Sequence, residues 1–302
     1  MKRTISDKRE EGFSLIELVV CMLILLPAMG AALSLFSVGT RQQTEEHGNI
    51  DANQEARAGL EMMITEIAQA GSHGDWATTL NSGISGSTDA QTVKVDSAEG
   101  FTVGDWVDVG TGANLESVEI IAVAETSISG VFIVNHDAGD PVRLFALPYA
   151  AGVIPSGGMG PNAQSTATTL RFFGDINGDS TIQYVEYVYD IGNNQITRSI
   201  TPIGQGNKSG AVPFIRNISR NSARFTLSTD GMGVVTSVGV EFTVQNSQRG
   251  VASQDTQMAS HVTIPSTIAA SALTWEQLML QSIVKLPTTP AEIISWAGYD
   301  VY

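Results

Sequence analysis

The sequence predicts an α+β chain. A long N-terminal α-helix, transmembrane in its first half, packs its second half on an antiparallel β-sheet, and a small β module is inserted between them. Three observations carry this. From Leu18 to Val38 no residue is charged. From Ala56 to Ile67 apolar residues recur at helical spacing. Beyond Gln91 short β-type runs alternate with glycine-containing turns.

The totals narrow the class of partner. A formal net charge of −15 over 302 residues argues against binding along a phosphate backbone, so no nucleic-acid partner is expected. An apolar content of 42% is enough for a core of real size. The single cysteine, Cys21, lies inside the apolar run, which rules out an intramolecular disulfide.

The N-terminus asks the sharpest question. GFSLIELVV, residues 12–20, opens an apolar run long enough to cross a bilayer, yet it contains Glu17. Lys2, Arg3, Lys8 and Arg9 precede it, so the N-terminus stays cytoplasmic and the remainder is exported. A secretory signal peptide would use the small residues at 28–32, but the apolar stretch continues to Val38. A plain anchor accounts for the length and leaves Glu17 as an unpaired acid in lipid. Cleavage between Gly12 and Phe13 explains both features. It creates an ammonium on Phe13, and Glu17 is its i+4 neighbour, within reach of that charge or of the one on an adjacent copy.

These residues resemble the type IV pilin and pseudopilin family: a short basic leader, Gly12, Phe13, Ser14-Leu15-Ile16, Glu17 and about twenty apolar residues. The resemblance implies a pilin fold, cleavage by prepilin peptidase, N-methylation of Phe13 and assembly into a helical filament. Glu17 would pair with the Phe13 amine of a neighbour. Pro27 and Gly30 depart from an uninterrupted helix and predict a kink or melted turn.

Taken in order, residues 1–12 form the cleaved leader and 13–39 the transmembrane and filament-core helix. Residues 40–71 form an amphipathic helix with Ala56, Leu60, Met63, Ile64 and Ile67 on its stripe, glutamates 45, 46, 55, 61 and 66 mostly off it, and Gly71 as C-cap. QEARAGLEMMITEIAQAG, 54–71, is similar to the corresponding segment of PilW-like minor pilins, and less closely to J-class type II secretion pseudopilins. Residues 72–90 read as a linker, and 91–150 as the inserted β module, in which VGDWVDV (103–109) and AGDPVRL (138–144) share a turn pattern. Residues 151–265 read as an antiparallel body with a meander through TLRFF, QYVEYVYD and QITRSI. In 266–302, Thr274 and Gln277 form a capping box for one helix, and Thr289, Pro290 and Glu292 open a shorter one ending near Gly298. Trp296, Tyr299 and Tyr302 are read as core residues in preference to a docking surface.

One stretch has metal-ligand spacing. Asp175, Asn177, Asp179, Thr181, Gln183 and Glu186 stand at positions 1, 3, 5, 7, 9 and 12 of a calcium-binding loop pattern. Ser180 occupies the sixth position, where the pattern requires glycine, and strands flank the loop in place of helices. A polar hairpin turn explains the same residues, so calcium and a metal-free turn both stay open. No other cofactor is called for.

No catalytic set is apparent. His47, His73, His136 and His261 are scattered, and Ser282 to Lys285 fits S-x-x-K without its companion motifs. The resemblance therefore implies a structural subunit of a type IV pilus, a PilW-like minor pilin of the assembly, priming or tip complex. It is first an inner-membrane precursor, then part of a periplasmic and cell-surface fibre. The implied partners are prepilin peptidase, the major pilin, other minor pilins, a tip adhesin and the inner membrane. A type II secretion minor pseudopilin is the alternative within the class, and a membrane-anchored adhesin or binding module the alternative outside it.

Overall fold

The computed structural model describes residues 14–74, 76–144, 149, 152–154, 165–231, 233–245, 255–280 and 289–297. It is an α+β chain with a long N-terminal helix and antiparallel sheets. Helix α1, Leu15–Ala68, runs unbroken through Pro27, so the expected melted turn does not form and the cost is the one hydrogen bond proline cannot donate. The chain divides into two compact units at Asp51/Ala52.

In the first unit, α1 is apolar from Leu18 to Val38 and exposed there on every side, with Leu23, Leu26 and Phe36 all more than 60% exposed. This stretch is long and apolar enough to cross a membrane.

In the second unit, α1 presents the predicted stripe. Ala56, Leu60, Met63, Ile67 and Ala70 are buried, and Ile64 packs partly against the same cluster. Fifteen strands follow among the described residues. In the inserted module these are β1 (Ala77–Thr79), β2 (Gln91–Lys94), β3 (Trp106–Val109), β4 (Glu116–Glu119), β5 (Ala122–Ala124), β6 (Ser127–Gly130) and β7 (Pro141–Leu144). The body contributes β8 (Val153–Ile154), β9 (Thr169–Gly174), β10 (Gln183–Asp190), β11 (Gln195–Pro202) and β12 (Val212–Ile215), then β13 (Arg224–Thr229), β14 (Val235–Val244) and β15 (Thr256–Thr263).

The body has a five-stranded sheet, β12-β11-β10-β9-β8, and a three-stranded sheet, β13-β14-β15. Both contribute to one apolar cluster with α1, which is why the stripe of the helix needs no other partner. Gly59 permits the contact, because a Cβ there would lie 2.6 Å from Ile215.

The module is built from sheets β1-β7-β3-β4 and β2-β6-β5 around its own core, which includes Val95, Phe101, Val107, Ile128 and Phe132. The two shared turn patterns lead into β3 and β7, which lie side by side with Val107 opposite Leu144 and Val109 opposite Val142. The stretch read as a linker, 72–90, instead contributes β1, and Leu80 bridges to Val95. Its Ser, Thr and Gly composition hid a strand three residues long.

Helix α2, Pro265–Leu280, begins earlier than the capping box at Thr274 predicts. Pro265 opens it, and the buried Thr267 hydroxyl donates to the carbonyls of Ile264 and Val235. Helix α3, Ala291–Ala297, falls where expected and covers the second face of the five-stranded sheet, where Ile293 and Ala297 pack with Phe173 and Tyr184. Trp296 packs partly buried against that cluster, 6.2 Å from Tyr184 between ring centres, as read. Tyr299 and Tyr302 lie outside the described residues.

Candidate functional site

The residues expected to act are at the N-terminus. Gly12 and Phe13 lie outside the described residues. Glu17 occupies the first turn of α1, where the helix dipole favours an acid. Its carboxylate is exposed among the exposed side chains of Leu15, Ile16 and Leu18. An acid in such company, within a run that can cross a membrane, calls for a cationic partner.

The loop with calcium spacing is held by its own hydrogen bonds. Asp175 is buried at the strand end and accepts the amides of Gly178 (2.9 Å) and Ser180 (2.9 Å). Asn177 donates to Asp179, and Asp179 accepts the amide of Thr181 at 2.8 Å. That backbone amide, then burial acting against it, then Asn177 set the balance that holds the Asp179 carboxyl below the usual range. Ser180 takes the left-handed backbone, φ 68°, that the loop pattern assigns to glycine. Glu186 is turned elsewhere. It accepts Lys208 Nζ at 2.9 Å and Tyr184 at 2.9 Å, with Arg171 Nε at 3.4 Å. Burial alone would raise the Glu186 carboxyl, and these three partners outweigh it and hold it low. Gln183 is buried in the start of β10. Asp175, Asn177 and Asp179 therefore share one turn, while Glu186 stands outside it. No group of three or more His, Cys, Asp or Glu gathers as a metal site among the described residues.

The loop also braces the chain leaving α1. Ser72 exchanges backbone and hydroxyl hydrogen bonds with Asp175, and the Trp76 indole donates to the Ser180 carbonyl. Gly74 is required there, since a Cβ would lie 2.3 Å from Ser180.

Sequence reading missed three buried polar sites. Glu66, placed off the stripe, is 6% exposed. Its carboxylate accepts Tyr187 (2.5 Å) and Arg198, which also lies over the Phe214 ring. Burial raises the Glu66 carboxyl despite these partners. Spacing carried a signal for this, because position 66 falls three after Met63 and four before Ala70. At the root of the module, fully buried Asp105 accepts His73 Nε2 (3.1 Å), Tyr149 (3.1 Å) and the Thr102 amide (2.6 Å) and hydroxyl (2.9 Å). His73 also stacks on Tyr149, centroids 5.1 Å apart. Within the module, buried His136 meets Glu116 at 2.7 Å, and Glu116 accepts the amides of Ile133 and Val134. Nothing in sequence spacing joins these residues. Each histidine is tied to a carboxylate inside a packed site, whereas His47 is exposed on α1 and His261 is exposed and bonded to Ser237. Ser282 and Lys285 lie outside the described residues.

No family model, curated protein or solved structure matches the chain.

Proposed function

We propose that this chain is a minor pilin, PilW-like, of a type IV pilus. The observation that carries this reading is the acid at position 17, four residues beyond Phe13, in an apolar run that follows Gly12. Supporting it is the division of α1 into an exposed apolar half and a half whose stripe packs on sheets.

Prepilin peptidase cuts after Gly12, and Phe13 becomes the N-methylated terminus. Glu17 then neutralises the Phe13 amine of a neighbour as the helix moves from the inner membrane into the fibre, in the periplasm and beyond the cell surface. The role is structural, and the neighbours are the major pilin, other minor pilins and a tip adhesin. A type II secretion pseudopilin would use the same residues. A membrane-anchored adhesin or binding module is the alternative outside the class; it would act through the module, which has a core of its own.

Mass spectrometry of the mature protein tests the reading. The expected N-terminus is methylated Phe13, and Gly12→Ala is expected to leave full-length precursor. Glu17→Ala is expected to be processed normally and fail to enter fibres. A mature chain beginning at Met1, or after Ala28, overturns the proposal.

A further inference from the structure

We propose that a hollow between the two body sheets binds a sugar that carries a carboxylate, with Arg224 holding the acid group and Asn221, Thr168 and Thr243 the hydroxyls. The hollow measures about 460 Å3, within the size range of ligand pockets. It lies where the end of β10 and the residues before β9 meet β13 and β14, so both sheets contribute to its wall. All of its residues belong to the second unit.

The frame of the hollow is fixed by groups that are already paired. The Phe225 amide donates to the Ala167 carbonyl at 2.9 Å, and the Tyr189 amide to the Thr168 carbonyl at 2.8 Å. The buried Tyr189 hydroxyl accepts the Asn221 backbone amide (2.8 Å) and donates to the Ser219 carbonyl (3.1 Å). The Ser222 hydroxyl accepts the Thr243 amide (3.1 Å) and donates to the same Ser219 carbonyl (2.7 Å). A wall held in this way is formed before a ligand arrives, which lowers the ordering cost of binding.

The groups left over define the ligand. Among the described residues the Arg224 guanidinium and the Asn221 side-chain amide make no hydrogen bond or ion pair. Arg224 stands directly opposite Glu241 on β14, where an ion pair would be expected, but Glu241 is taken by Gln257 of β15 at 2.6 Å. The cation in the hollow is therefore without a direct counter-ion, in a chain of net charge −15. A guanidinium presents a planar fork that a carboxylate matches. Asn221 has φ 61°, a backbone that glycine takes freely, so asparagine there keeps an amide at the hollow at some conformational cost. That amide donates and accepts, and the hydroxyls of Thr168 and Thr243 do both. Vicinal sugar hydroxyls, each a donor and an acceptor, match such a lining, and Ala167, Ala223 and Ile191 give apolar ground for the C–H face of the ring. A neutral sugar would leave Arg224 idle, and a bare anion would leave the amide and the hydroxyls idle. The site lies in the body and needs nothing from the pilin reading.

Isothermal titration of the full chain in detergent tests this with glucuronate, galacturonate and N-acetylneuraminate, against galactose, acetate and N-acetylglutamate. At least one of the sugar acids is expected to bind about tenfold more tightly than every control. Arg224→Gln is expected to weaken that binding about tenfold and Asn221→Gly about threefold, the scales of a charged and a neutral hydrogen bond. Glycine at 221 accepts the left-handed backbone, and circular dichroism checks that each variant folds. Should Arg224→Gln fail to fold, Arg224→Lys takes its place, because an ammonium lacks the fork. Arg220→Gln removes a cation outside the lining and is expected to leave binding unchanged. No saturable binding of any sugar acid at millimolar concentration overturns the proposal, as does binding that survives loss of the Arg224 guanidinium. Acetate or N-acetylglutamate binding as tightly as the sugar acids would assign a carboxylate site only, and galactose binding as tightly would assign a neutral-sugar site; either overturns the proposal. Processing at Phe13 is read separately by mass spectrometry, so failure of the pilin reading and failure of this site are distinguishable.

Discussion

Glu66 shows how one carboxylate ties α1 to the sheet. Its two partners, Tyr187 and Arg198, stand opposite each other on β10 and β11, so the helix is held at a single register position. Removing Arg198 leaves a buried acid without its cation, and Arg198→Ala is expected to cost about 3 kcal/mol in denaturant unfolding. The pH signature has a definite sign. Burial raises the folded pKa of Glu66 above its ordinary 4.5, so the folded state binds more protons there. The contribution of this group to stability is fully present below the ordinary value and is lost as pH rises through the folded value. Glu186 works in the opposite sense. Its lowered folded pKa adds stability that is present above 4.5 and lost as pH falls through the folded value. Glu66→Gln is therefore expected to remove a downward slope from the Tm-against-pH curve above 4.5. A slope unchanged by Glu66→Gln would exclude the burial account.

At the scale of elements, the second half of α1 and the loop after β9 divide the work of positioning. Met63 is fully buried in the cluster that α1 shares with both body sheets, and Met63→Ala is expected to cost about 2–5 kcal/mol, read as a lower urea midpoint. The loop 175–181 acts as a brace on the chain that leaves the helix, through Ser72, Gly74 and Trp76. Its carboxylates are already occupied by its own amides and Glu186 is held by Lys208, so millimolar calcium is expected to leave the Tm of the full chain unchanged. A calcium-dependent rise would decide for the calcium reading of the loop over the metal-free turn. Periodicity made the helix stripe and the meander legible, because burial on one face repeats along an element. The brace was not legible, because it joins residues about a hundred positions apart.

At the scale of the molecule, the module keeps its own core and is tied at its root by one buried carboxylate. Asp105→Ala would leave the donors of His73, Thr102 and Tyr149 without their acceptor, each at about 1–3 kcal/mol. The expected result is early proteolysis between Ala70 and Phe101, before the body sheets are cut. What the sequence determined by itself was local or periodic: the apolar run, its acid at position 17, the stripe on α1 and the alternation of the strands. What only the tertiary structure decided was the set of partners, with Glu66 on Arg198, Asp105 on His73 and Tyr149, and Glu186 on Lys208. The physical reason is that burial periodicity is written along the chain, whereas a buried charge finds its partner across folds that no local pattern records.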